Sequence, residues 1–100
     1  MKDHIETLCV QAGYQPKTGE SRIPPIVQST TFFYGDSQVM ADLFDLKREG
    51  FFYSRLANPT VDALEKKIAA LEGGAAGIGC ASGMSALLLT AMTLCEEGDN

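Results

Sequence analysis

The sequence is poor in the residues that build metal sites. It has one histidine, His4, and three cysteines, Cys9, Cys80 and Cys95, none of which forms a C-x-x-C pair. Because a structural zinc site needs four ligands close together, no metal site is expected within this chain. The cysteines are predicted to be small buried hydrophobic residues instead.

Positive charge and long apolar runs are also scarce. Lysine and arginine total 8 against 13 acidic residues, giving a net charge of −5, so there is no basic surface for nucleic acid. The longest apolar run, Ala86 to Leu89, is far too short to span a bilayer. The residues that follow Met1 contain no apolar signal-peptide core. We therefore expect neither a nucleic-acid nor a membrane partner, and a cytoplasmic location.

The first half of the chain predicts an arm rather than a domain. Glycines and prolines that disfavour regular structure are concentrated early, at Gly13, Pro16, Gly19, Pro24 and Pro25. Residues 27–34 are β-branched and aromatic, which favours an extended segment. Residues 10–38 are therefore interpreted as an arm without its own core, which must lie on later parts of the chain or on a partner subunit. A helix capped by Asp36 should follow and end at Gly50.

The second half predicts alternating helix and strand. Asn58 is a good N-cap with Pro59 at the first helical position, and Gly73 should end that helix. Apolar residues recur along it at steps of three and four, at Val61, Leu64, Ile68 and Leu71. Residues 75–80 are small and apolar and predict a buried strand, followed by a buried helix over residues 86–94. This order is an α/β pattern.

Two segments carry groups that suit an anion. If residues 51–55 are extended, Tyr53 and Arg55 point the same way and present a hydroxyl and a guanidinium to a phosphate or carboxylate. After Ser82, the amides of Gly83 and Met84 begin a helix, where free amides favour anions. Taken singly, each has a plain structural alternative: a surface Arg beside a half-buried Tyr, and a strand-to-helix turn capped by Ser82.

Together the segments resemble a known family. The stretches Tyr53 to Thr60 and Ser82 to Met84, with Glu6 to Tyr14 and Pro24 to Phe32, are similar to the trans-sulfuration (Cys/Met metabolism) family of pyridoxal-phosphate enzymes. The resemblance runs from about residue 5 to the last residue. It implies a fold-type I (aspartate-aminotransferase-like) α/β enzyme, with residues 1–50 as an N-terminal arm on a partner subunit and residues 51–100 as the start of the cofactor domain.

The resemblance also implies roles for four residues. Tyr53 and Arg55 match the family's contacts to the cofactor phosphate of the neighbouring subunit, and Gly83 and Met84 match the backbone contacts within one subunit. The cofactor is pyridoxal 5'-phosphate, and the active site is shared within a homo-oligomer, a homotetramer built as a dimer of dimers. The Schiff-base lysine is expected beyond Asn100. No catalytic residue is therefore expected in this chain, which is predicted to be an inactive N-terminal portion when alone.

The resemblance leaves three functions open. The first is γ-replacement, in which O-acetylhomoserine and sulfide or a thiol give homocysteine or methionine; the segments Leu43 to Leu46 and Glu49 to Tyr53 favour that branch. The second is a lyase, of the methionine gamma-lyase or cystathionine type, which the Ser82 to Met84 turn also resembles. The third is a non-catalytic fragment or assembly module that keeps only the arm.

Overall fold

The structure is a computed structural model that describes residues 4–99, which form four helices. In chain order they are α1 (Ile5–Gln11), α2 (Ser37–Phe44), α3 (Pro59–Glu72) and α4 (Gly83–Leu94). The first three residues of the predicted arm and the last residue of the predicted cofactor domain lie outside the described part. Extended segments and turns connect the helices.

Helix α3 has the boundaries that the sequence predicts. The Asn58 side chain accepts a hydrogen bond from the Thr60 amide at 2.9 Å, and Pro59 begins the helix without losing a needed N–H. At the other end, Gly73 has a left-handed φ of 66°, which glycine adopts without steric penalty. The helix interior adds an i,i+4 ion pair between Asp62 and Lys66.

Helix α1 packs against α3, and it is the one helix pair in contact among residues 4–99. The chain turns away from α1 at Gly13, whose φ is 87°, and passes so close to α3 that a Cβ there would lie 2.2 Å from the Ala63 carbonyl oxygen. The Lys67 ammonium then donates to the Cys9 carbonyl at 3.1 Å. The face of α3 that is buried carries small residues, Ala63 and Ala69, because backbone must approach it closely.

Helix α2 ends earlier than predicted. Asp36 caps it as expected, by accepting from the Gln38 amide at 2.8 Å, but the last helical residue is Phe44. Leu46 then takes a left-handed φ of 56°, which breaks the helix. Gly50 lies beside the helix, where its missing Cβ leaves room for Leu43, the most deeply buried side chain described.

Residues 27–34, predicted to be extended, form no helix and make one isolated antiparallel bridge, between Thr31 and Tyr53. The strand predicted over residues 75–80 is not formed. That segment instead turns back and lies along α3, where the Gly79 amide donates to the Glu65 carboxylate at 2.6 Å. A Cβ on Gly77 would lie 2.9 Å from the Glu65 carbonyl oxygen, so the glycines allow backbone to lie directly on the helix. The regular secondary structure of the described residues is therefore almost entirely helical.

Predictions of burial are wrong for several residues. Helix α4 has no buried residue, and Leu87, Leu88 and Leu89 are each more than half exposed. The apolar stripe of α3 is also largely exposed, and so are all three cysteines. Apolar periodicity reports which side chains could be buried, but burial requires a partner surface, and residues 4–99 provide none for these faces. None of the described helices is both long and apolar enough to cross a membrane.

Gly13 and Gly19 provide a matched test of the contact between α1 and α3. Both have a φ of 87°, but only at Gly13 would a Cβ meet other atoms. We expect Gly19→Ala to lower the free energy of unfolding by about 1–2 kcal/mol through backbone strain alone. Gly13→Ala should lower it further and should speed hydrogen exchange in α1. Equal effects of the two substitutions, measured by denaturant unfolding and amide exchange, would contradict the close packing.

Candidate functional site

Tyr53 is held by the bridge between the arm and the segment before α3. The Phe32 amide donates to the Phe52 carbonyl at 3.3 Å, and the Ser54 amide donates to the Thr30 carbonyl at 2.8 Å. Tyr53 lies between these two bonds and is itself the bridged residue. Its backbone is therefore fixed on both sides, although its hydroxyl has no hydrogen-bond partner among the described residues.

Arg55 lies in a turn rather than in an extended segment. The amides of Leu56 and Ala57 both donate to the Tyr53 carbonyl, at 3.0 and 3.1 Å, so residues 53–57 form one tight turn. The expectation that residues 51–55 are extended throughout is therefore wrong beyond Tyr53. The turn still brings the two side chains together: the Arg55 guanidinium carbon lies 5.0 Å from the centre of the Tyr53 ring, within cation–π range.

These two side chains border a groove of about 310 Å³. Besides Tyr53 and Arg55, the groove is lined by Thr31, Phe32, Met40, Phe44, Phe52 and Leu56. On one wall the rings of Phe44 and Phe52 contact each other, with centres 4.5 Å apart. No acidic side chain lines it, and Arg55 forms no ion pair within residues 4–99. The charge of Arg55 is therefore available to an external anion.

The second candidate segment begins α4. Ser82 caps the helix by accepting from the Ser85 amide at 3.1 Å, which is the contact that the plain structural alternative predicts. The amides of Gly83 and Met84 precede the first intrahelical bond and have no acceptor among the described residues. A Cβ on Gly83 would meet no atom within 4 Å, so the space beside these amides is open.

The described chain does not bring the two segments into one groove. Gly83 and Met84 do not line the groove beside Tyr53 and Arg55, and α4 contacts no other helix within the described range. The chain therefore presents two separate sets of hydrogen-bond donors. Each set can donate hydrogen bonds, from a guanidinium and a phenol in one and from two amides in the other, and this chemistry fits a phosphate group with its many acceptor oxygens.

A larger cavity of about 590 Å³ lies between α1 and the loop that follows it. Arg22 and Lys67 line it, which could also suit an anion. However, Lys67 already donates to the Cys9 carbonyl, and the neighbouring Tyr14 hydroxyl donates to the Ser21 carbonyl at 3.0 Å. These polar groups hold the loop in place, so this cavity is the weaker candidate. Within the described residues no cluster of histidine, cysteine and acidic side chains is suited to a metal ion.

Sequence reasoning missed the side chains by which Asn58 holds the turn at residues 53–57 and by which Asn58 and Thr60 hold the arm. The Asn58 carboxamide donates to the Val27 carbonyl at 3.0 Å and to the Ser54 hydroxyl at 2.9 Å, in addition to capping α3. The Thr60 hydroxyl donates to the Pro25 carbonyl at 3.0 Å and accepts from the Val27 amide at 2.9 Å. The only sequence signal was the cap motif itself, which gives no indication of the arm more than 25 residues earlier.

Known proteins are similar to this chain in sequence and in backbone fold. An O-acetyl-L-homoserine sulfhydrylase from Thermus thermophilus is 49% identical over 96% of this chain, and an L-methionine gamma-lyase from Pseudomonas putida is 42% identical over 93%. The solved structure of a protein described as an O-acetylhomoserine (thiol)-lyase from Campylobacter jejuni, which contains pyridoxyl-lysine-5'-monophosphate, superimposes with a TM-score of 0.85 and 40% identity over 98% of the chain.

The matches cover only part of each relative. The chain spans 23% of the sulfhydrylase, 24% of the lyase and 23% of the Campylobacter chain. Within this chain, residues 6–100 match the family described as Cys/Met metabolism PLP-dependent enzyme. The matched range includes the bridge, the turn that carries Arg55 and the start of α4. On the strength of that match, which takes in nearly every residue, this chain belongs to the family of Cys/Met metabolism PLP-dependent enzymes.

Proposed function

We propose that this chain forms part of a sulfhydrylase that depends on pyridoxal phosphate. The reaction is γ-replacement: acetate leaves O-acetylhomoserine, and sulfide or a thiol takes its place to give homocysteine or methionine. Support comes from relatives named O-acetyl-L-homoserine sulfhydrylase and homocysteine synthase, at 49% and 46% identity. Since the chain spans 23% of each, the chemistry of the complete protein depends also on residues that these comparisons do not cover.

Four residues of this chain would bind the cofactor phosphate. Tyr53 and Arg55 would donate from the side chains of one subunit, and the Gly83 and Met84 amides from the backbone of another. Within one chain, Gly83 and Met84 do not line the groove beside Tyr53 and Arg55. A site shared between two subunits is favoured for this reason, because a second copy of the chain can place its Gly83 and Met84 amides beside the groove of the first. Residues 1–50 would then be an arm that lies on the partner, and residues 51–100 the start of a fold-type I cofactor domain.

The single observation that carries the proposed phosphate site is the position of Arg55, whereas the choice of sulfhydrylase rests on the named relatives. Its guanidinium lies against the Tyr53 ring at the edge of a groove with no acidic side chain, and no acidic partner neutralises it within residues 4–99. An exposed guanidinium without an acidic partner can bind two phosphate oxygens at once. When bound, the cofactor supplies an electron sink for amino-acid chemistry, and this chain's part is to hold its phosphate in a fixed orientation.

A lyase is the second candidate function. The Pseudomonas relative named L-methionine gamma-lyase is 42% identical over 94 residues, only slightly below the sulfhydrylases. The four phosphate-binding residues proposed here would serve either reaction, because they hold the cofactor and do not choose the substrate. A non-catalytic assembly role is the remaining alternative, and it would leave the donors of Arg55 and Gly83 without a ligand.

Product analysis separates these functions. The protein expressed from its complete coding sequence and loaded with pyridoxal phosphate should release acetate and form homocysteine from O-acetylhomoserine and sulfide. We expect this rate to exceed the release of 2-oxobutyrate from methionine by on the order of tenfold or more. Faster release of 2-oxobutyrate would favour the lyase, and no turnover of either substrate would favour the assembly role. Protein stripped of cofactor serves as the blank.

Arg55→Ala tests the proposed phosphate contact. A hydrogen bond to a charged group contributes on the order of 1.5–3 kcal/mol, so the dissociation constant for pyridoxal phosphate should rise about ten- to a hundredfold. Tyr53→Phe should have a smaller effect in the same direction. The matched control is Arg48→Ala, which removes an exposed arginine that does not line the groove. Absorbance titration of cofactor-free protein measures each constant, and an unchanged value for Arg55→Ala would refute the assignment.

Gly83→Val tests the open space at the start of α4. Because a Cβ there meets no atom of the described chain, the fold should tolerate valine, while a phosphate held by the Gly83 and Met84 amides would be crowded. Gly35→Val is the control, since it also points into open space but lies away from both donor sets. We expect similar thermal midpoints for the two variants and loss of cofactor only in Gly83→Val. Full cofactor occupancy in Gly83→Val would contradict the proposal.

A further inference from the structure

The side chain of Asn58 connects three parts of the chain beside the turn at residues 53–57. Its Nδ2 donates to the Val27 carbonyl in the arm at 3.0 Å and to the Ser54 hydroxyl at 2.9 Å. Its Oδ1 accepts from the Thr60 amide in α3 at 2.9 Å. Asn58 is 8% exposed and is the one polar residue among the buried residues of the described chain. All of its side-chain polar atoms are therefore engaged, as burial requires.

Ser54 links this carboxamide to the two phosphate donors. It lies between Tyr53 and Arg55 in the chain, and its hydroxyl accepts from Asn58 while donating to the Ser29 carbonyl. Its amide also donates to the Thr30 carbonyl at 2.8 Å. A rotation of the Ser54 backbone would swing the side chains on both sides, and the bond from Asn58 resists that rotation from the far end of the turn.

We propose that Asn58 is the positioning residue for the phosphate contacts of Tyr53 and Arg55, an inference that rests on the proposed function. It acts through Ser54 and touches no ligand itself. Only a carboxamide meets the demand of this position, which is two donors on one side and one acceptor on the other. An aspartate would still cap α3, but it would face the Val27 carbonyl with an acceptor and could not donate to Ser54. The turn would then lose one of the bonds that restrain it, although Ser54 would still donate to Ser29 and Thr30, while the helix start stayed intact.

A double-mutant cycle with Arg55 tests this action. The complete protein is purified with its cofactor, and the cofactor is then removed. The dissociation constants of pyridoxal phosphate and of pyridoxal, which lacks the phosphate, are measured by titration of this cofactor-free protein. The variants are Asn58→Asp, Arg55→Ala and the two combined. We expect Asn58→Asp to weaken pyridoxal phosphate binding about tenfold and to leave pyridoxal binding unchanged. In the Arg55→Ala background the same change should add little, because the group it positions is gone.

Thr60→Val provides the matched control. It removes the hydroxyl that donates to Pro25 and accepts from Val27, so it loosens the arm by two hydrogen bonds without touching residues 53–57. The Thr60 amide, and with it the cap of α3, is retained. We expect a lower thermal midpoint and an unchanged ratio of the pyridoxal phosphate and pyridoxal dissociation constants. If Asn58→Asp does not fold, Asn58→Ser, which keeps a cap oxygen but is too short to reach Val27, takes its place in the cycle.

The outcomes separate this inference from the function on which it rests. Full additivity of the Asn58 and Arg55 losses, equal losses for pyridoxal and pyridoxal phosphate, or a loss in Thr60→Val that matches Asn58→Asp would each show that Asn58 only stabilises the fold. An effect of Arg55→Ala with none from Asn58→Asp would overturn the positioning role alone. No effect of Arg55→Ala would overturn the phosphate assignment together with the positioning role.

Discussion

Hydrogen bonds from the start of α3 to the arm are the interaction on which the rest of this structure depends. Asn58 and Thr60 reach back to the arm backbone at Pro25 and Val27 and hold it beside the helix. The described chain buries few apolar side chains, with Leu43 the most deeply buried. Burial of apolar area alone would therefore not fix the path of the arm. The directional bonds to the Pro25 and Val27 carbonyls, two residues apart, also fix which arm residues lie beside the start of α3.

The same bonds explain how the turn is held in place although its one charged residue, Arg55, has no acidic partner among the described residues. An arginine with no acidic partner gains nothing from being held in one place, since solvent would stabilise it equally well in many rotamers. Here the restraint comes from its neighbours: Tyr53 is fixed by the bridge and Ser54 by the arm and Asn58. The structure thus provides in advance the ordering that an anion would otherwise have to induce on binding.

The sequence was sufficient where the determinants are local. The cap at Asn58 and the helix end at Gly73 depend on residues within one turn of the chain, and the structure has both as predicted. The cap at Ser82, which is equally local, is the one that the plain structural alternative gave. The sequence was insufficient where the structure depends on contacts with residues far away in the chain. The strand predicted over residues 75–80 and the predicted burial of α4 are the two examples. The pairing of Tyr53 with Arg55 was predicted from an extended backbone but arises from a turn, which is held by bonds to residues 25 and 31 positions earlier.

The contact residues on α3 show how one helix can serve both as packing surface and as site support. At its N-terminal end, polar side chains bind the arm. At its middle, the backbones of Gly13 and Gly77 from other segments lie against Ala63 and Glu65 of the helix. Close approach needs small residues, and it leaves the larger apolar stripe of α3 on another face. A substitution that enlarges the packed face would push α1 outward but would leave the 53–57 turn in place, since the bonds that hold that turn begin at Asn58 and not at the packed face. Stability of the α1 contact and geometry of the phosphate donors are therefore separable properties of this chain.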